Sequence, residues 1–152
     1  MDDILIMDKD GIPYYFGCFN GETCKKYPEH NISTTLIPDL FNFMKKHLNS
    51  QHMKAILLSD SKITFTTDEK TGFIVAYTST LEESEFLIKK SQEKTLEIFQ
   101  ILCKNAIDNC DYLAMEEIEN FERELILYGI VKQVSLKNGG EVKERLMETL
   151  CS

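Results

Sequence analysis

The sequence predicts an α+β fold, with a sheet drawn from the first half of the chain and helices mainly from the second. Three observations predict it. Short apolar and aromatic runs, separated by Gly-containing turns, recur between residues 4 and 77. Beyond residue 80 the apolar side chains recur at three- and four-residue steps, the spacing of amphipathic helices. A chain of 152 residues that is 43% hydrophobic and 28% charged has the composition of one globular domain with a sizeable core.

The elements follow in order. Ile4-Leu5-Ile6-Met7 and Ile12 to Phe19 flank Asp8-Lys9-Asp10-Gly11 and read as a β-hairpin, with Pro13 tolerated near the start of its second strand. Residues 20–35 are polar and turn-rich. Thr34 or Thr35 as N-cap and Pro38 in the first turn start a helix over Leu36 to Leu48. Lys54 to Ser59 is a third strand. Ile63 to Thr67 and Phe73 to Tyr77 form a second hairpin about Asp68 to Gly72. Thr80 and Glu83 fit a capping box ahead of a long helix from Leu81 to about Cys110. A further helix spans about Ala114 to Val131, and Gly139-Gly140 separates it from a short tail helix, Glu141 to Leu150. Residues 1–135 thus form the domain, and residues 136–152 a helical tail.

Charge and cysteine usage narrow the function. Twenty-five acidic against 17 basic residues give a net charge of −8, a surface that repels phosphate backbones and argues against nucleic-acid binding. No apolar run is long enough to insert in a bilayer. Five cysteines at irregular spacing, with no secretory leader, read as reduced thiols in the cytoplasm.

Motifs for chemistry are scarce. Asp8-Lys9-Asp10-Gly11 has the middle of a calcium loop, but strand residues stand where the remaining ligands belong, so a tight turn is the better reading. No glycine-rich phosphate loop, nucleophile elbow or zinc spacing occurs. The carboxylates between Asp111 and Glu124 fall on the first turns of a helix, where they complement its dipole. The reading is of a non-enzymatic protein without a cofactor.

The element order resembles the longin domain, of the profilin-like class found in trafficking SNAREs, small coat-adaptor subunits and tethering-complex subunits. The resemblance rests on Ile4 to Pro13, on the helix around Leu40-Phe41-Asn42-Phe43, and on Phe73-Ile74-Val75-Ala76-Tyr77-Thr78 leading into Thr80 to Glu83. It implies a five-stranded antiparallel sheet of order 2-1-5-4-3, one helix on one face, two long helices on the other, and the short tail helix beyond them. It also implies assembly with a small GTPase, or with a related longin or roadblock domain, and a peripheral place at membranes through such partners. Roadblock domains usually open with a helix, whereas the first strand here begins by residue 4. The chain lacks the heptad helix and anchor of longin SNAREs, so the resemblance points to a stand-alone subunit, with homodimerisation open. A PAS-like or GAF-like sensor domain, holding a small ligand against its sheet, is the alternative.

Two features locate a partner-binding surface. In the helix of residues 36–48, Ile37, Phe41, Met44 and Leu48 form one apolar stripe, assigned to the core. Leu40, Phe43 and His47 lie on a second, left partly exposed. In the implied strand order Lys54 to Ser59 is an edge, and its apolar residues on both faces suit strand addition by a partner. Leu40, Phe43, His47, Ile56 and Leu58 are therefore the expected partner-binding residues.

Overall fold

The computed structural model describes residues 2–20, 37–47 and 54–136. Five strands and four helices follow one another among them: β1 (Asp3–Met7), β2 (Pro13–Cys18), α1 (Ile37–His47), β3 (Ala55–Leu57), β4 (Ser61–Thr67), β5 (Ile74–Thr80), α2 (Glu85–Leu102), α3 (Lys104–Asp108) and α4 (Met115–Leu127). The fold is α+β. All strand pairs are antiparallel, and the order β2-β1-β5-β4-β3 is the one expected. The expected tail helix lies outside the described residues.

Both hairpins close as their turn residues dictate. The Asp8 carboxylate accepts from the backbone N–H of Asp10 at 2.8 Å and of Ile12 at 3.0 Å, and Gly11 takes a φ of 78°. This side-chain-to-backbone turn uses the acceptors a calcium ion would need. In the second hairpin Gly72, at φ 81°, donates to the Asp68 carbonyl at 2.7 Å.

A bulge in β2 shapes the core. Ile6 pairs with Tyr15, but Met7 pairs with Pro13, so Tyr14 is the extra residue. Both tyrosines consequently reach the helices: Tyr14 meets Phe99 of α2 edge-on at 6.3 Å, and Tyr15 meets Phe121 at 4.9 Å. Phe99 and Phe121, both fully buried, link α2 to α4 at 5.6 Å. On the opposite face Leu5, Met7, Phe65, Ile74 and Ala76 are buried in the same core as Ile37 and Phe41 of α1. The assignment of Ile37 and Phe41 to the core thus stands; the Met44 side chain and Leu48 lie outside the described residues.

Gln92 ties α2 to the sheet. Its side chain is fully buried, donates to the Thr64 carbonyl at 2.6 Å and accepts from the Thr66 hydroxyl at 2.7 Å. A buried amide is tolerated because both ends are satisfied.

Three expectations are corrected. The long helix begins at Glu85 with Ser84 as its cap, because Thr80 remains in the ladder opposite Ser61 and is unavailable as a cap. That helix also ends at Leu102: Cys103 leaves helical geometry (φ −109°, ψ 21°), and the short α3 follows. Finally, Cys103 and Cys110 are outside any disulfide, in line with expectation, but Cys18 is engaged in one.

The chain after α4 closes the β2 edge. The Leu136 N–H donates to the Cys18 carbonyl at 2.8 Å, the Cys18 N–H to the Ser135 hydroxyl at 3.1 Å, and the Gln133 side chain to the Phe19 carbonyl at 3.2 Å.

Candidate functional site

At the other edge of the sheet, none of the described residues bonds the outward side of β3. β3 is bonded to β4 through its even-numbered residues: the Phe65 N–H donates to the Lys54 carbonyl and the Leu58 N–H to the Ser61 carbonyl, each at 2.9 Å. Backbone groups alternate along an antiparallel strand, so the N–H and C=O of Ala55 and Leu57 point away from the sheet. The side chain of Leu57 is 73% exposed. An apolar residue on an unblocked edge is the feature that soluble sheets ordinarily suppress.

The register explains why Leu57 is uncovered. Tyr77 bonds Thr95 of α2, Thr64 lies opposite Tyr77, and Ala55 lies opposite Thr64. Ala55 and Leu57 therefore stand on the helical face, one strand beyond β4, and both remain exposed. Beside them Lys62, which is itself buried, donates its ammonium to the Glu83 carbonyl at 2.7 Å and the Leu81 carbonyl at 3.5 Å. That bond draws the loop before α2 toward β4, and the Leu81 side chain is exposed.

The expected site residues fall as follows. Ile56 is half-buried and packs on the core, opposite Ile63; Leu58, just past the end of β3, is 46% exposed. On α1, Leu40 is half-buried and Phe43 is 51% exposed. Asn42 of that helix lies against Gly11 in the turn between β1 and β2. The His47 side chain lies outside the described residues. Leu57 is the residue the sequence did not single out. Ala55 to Leu58 is apolar throughout, so no alternation separated its inward from its outward side chains.

A second concavity lies between the β4–β5 hairpin and α2. It is a cleft of about 460 Å³ whose walls carry Asp68, Glu69, Glu93 and Glu97, with Leu96 and Ile101. Gln100 donates to Asp68 at 2.9 Å and holds that carboxyl below its ordinary range. Among the described residues no group of three or more His, Cys, Asp or Glu side chains could hold a metal ion. No described helix is long and apolar enough to cross a membrane.

Buried titratable groups in the core act as fasteners. Burial pushes the Cys103 thiol up to about 12, which keeps it protonated and non-nucleophilic at neutral pH. Glu122 is buried, accepts from the Ser135 N–H at 2.7 Å, and so anchors the segment that covers β2. At the start of α4, Glu117 accepts from the Ala114 N–H at 3.0 Å, a capping role for one carboxylate of the acidic stretch.

No protein-family model matches this chain, and no curated protein matches it.

Proposed function

We propose that this protein is a non-enzymatic protein-interaction module of the longin-like kind, assembling with related domains or small GTPases in complexes of the membrane-trafficking type. The observation that carries the reading is the open β3 edge, with outward backbone groups and an exposed Leu57. The strand order and the exposed Phe43 on α1 support it. In this reading the module adds a partner's strand beside β3, and Leu57, Leu58 and Leu81 supply the apolar contact. Leu40, Phe43 and His47 of α1, together with Ile56, extend the surface. The protein then acts at membrane surfaces through its partners.

The test is capture by the full chain of individual small GTPases in each nucleotide state, and of isolated longin and roadblock domains. Leu57→Asp is expected to abolish capture while the circular dichroism spectrum is kept. A chain that binds none of these proteins but turns over a small molecule overturns the reading.

A further inference from the structure

We propose that residues 132–136 form a releasable strap, which covers the Cys18 end of β2 while latched on Glu122 and detaches as a unit when that carboxyl ionises. The inference concerns the border opposite β3 and goes beyond the interaction-module reading. It starts from the way the strap is held. The Cys18 N–H donates to the Ser135 hydroxyl at 3.1 Å, and the Leu136 N–H to the Cys18 carbonyl at 2.8 Å. The strap thus takes the outward backbone groups that a neighbouring strand would use. Apolar burial adds little to its hold. Val131 is buried, but Lys132, Gln133, Val134 and Leu136 beyond it are exposed, and Ser135 is half-buried. A segment fastened by hydrogen bonds rather than by core packing opens at lower cost than the fold itself.

Glu122 is the latch. It is buried, and it accepts from the Ser135 N–H at 2.7 Å and from the Tyr15 hydroxyl at 3.3 Å. The titratable groups about this cluster are the Tyr15 phenol on β2, the Tyr77 phenol on β5 and the Cys103 thiol after α2. Burial raises all three, so none carries charge at neutral pH. Of the cations on α4 and the strap, Arg123 turns to Asn120 and Lys132 is exposed. Ionisation of Glu122 therefore places a charge where burial disfavours it, and its carboxyl stands above the ordinary range for that reason. Lifting Ser135 away lets water reach the carboxylate and removes that cost.

Native-state hydrogen exchange of the full chain, with the disulfide at Cys18 intact, tests the proposal. The Cys18, Ser135 and Leu136 amides each bond across the strap and report its opening. The Val75 amide, in β5 between β1 and β4, reports global unfolding. Corrected for the intrinsic rate at each pH, the strap amides are expected to exchange faster than Val75. Their exchange should also be insensitive to dilute urea, the mark of a local opening. That opening is expected to rise by up to about tenfold per pH unit from the ordinary glutamate range to the raised value of the closed state, because each event there releases one proton. Glu122→Gln still accepts from Ser135 but cannot ionise, and is expected to abolish the pH dependence. Tyr15→Phe keeps the ring against Phe121 and removes a bond that favours the charged carboxyl, so the upper limit of the pH-dependent range moves up.

Strap amides that exchange only together with Val75 overturn the releasable strap. A local opening that is the same at every pH overturns the latch, as does a pH dependence that survives in Glu122→Gln or an upper limit unmoved in Tyr15→Phe. None of these outcomes bears on the β3 edge, so the interaction-module reading stands or falls separately.

Discussion

Tyr15 donates its phenolic hydroxyl to Glu122 across 3.3 Å, joining β2 to α4 between residues 107 apart in the chain. The other carboxylate oxygen receives the Ser135 N–H, so one buried side chain holds a strand, a helix and the segment that closes the sheet's edge. Burial raises the Glu122 carboxyl above its ordinary range, against the lowering effect of those two bonds. It also raises the Tyr15 hydroxyl well above 10, which keeps it a donor.

A carboxyl whose folded pKa is raised contributes stability that is fully present below its unfolded value and lost as pH rises through the folded one. The contributions of Glu122 and of Asp8, both raised by burial, are therefore expected to grow as pH falls from neutrality toward the ordinary carboxylate range. Glu122→Gln keeps an acceptor for Ser135 and removes the charge. It is expected to be at least as stable as wild type at neutral pH and to flatten that slope, as urea unfolding at several pH values would show.

Gln92→Leu strands the Thr64 carbonyl and the Thr66 hydroxyl without their present partner. The expected loss is about 1–3 kcal/mol, the cost of a buried polar group left unpaired. A lower urea midpoint at unchanged slope is the signature; a midpoint equal to wild type contradicts the fastening role.

Phe41 and Phe43 lie two positions apart on α1 with opposite environments, the first buried and the second exposed. Phe41→Asp is expected to cost several kcal/mol, as a charge forced into a core does. Phe43→Asp should shift stability by about 1 kcal/mol or less and act on binding instead. Thermal unfolding of the pair decides this, and an equal loss in both places Phe43 in the core.

Of the five cysteines, one disulfide at Cys18 leaves three titratable thiols. Thiol titration of the unreduced, denatured protein is expected to give three, and five after reduction. Five in both conditions restores the reduced state that a cytosolic location requires.

Much of the sheet was legible because its turns are encoded locally. Asp8 to Gly11 and Asp68 to Gly72 each supply a side-chain acceptor and a glycine at positive φ, and the strands on either side pair in the expected order. Thr80 to Glu83 obeys the capping rule as a tetrapeptide and still does not cap, since pairing with Ser61 holds Thr80 in β5. In the candidate site the edge was legible but its outward residue was not. Which of Ile56 and Leu57 is covered depends on where α2 stops across the sheet, a tertiary outcome. The Tyr15–Glu122 contact escaped for a related reason: each residue fits its own element's periodicity, and only the fold brings them together.

The bonds from Gln133, Ser135 and Leu136 to the β2 border have a bearing on stoichiometry. A sheet that can grow at two borders propagates, and its products are filaments. Here the border at β2 is capped at its Cys18 and Phe19 end, whereas none of the described residues bonds the outward groups of Ala55 and Leu57 at β3. The two borders are thus unequal, and the few residues after α4 bias further strand addition toward one of them.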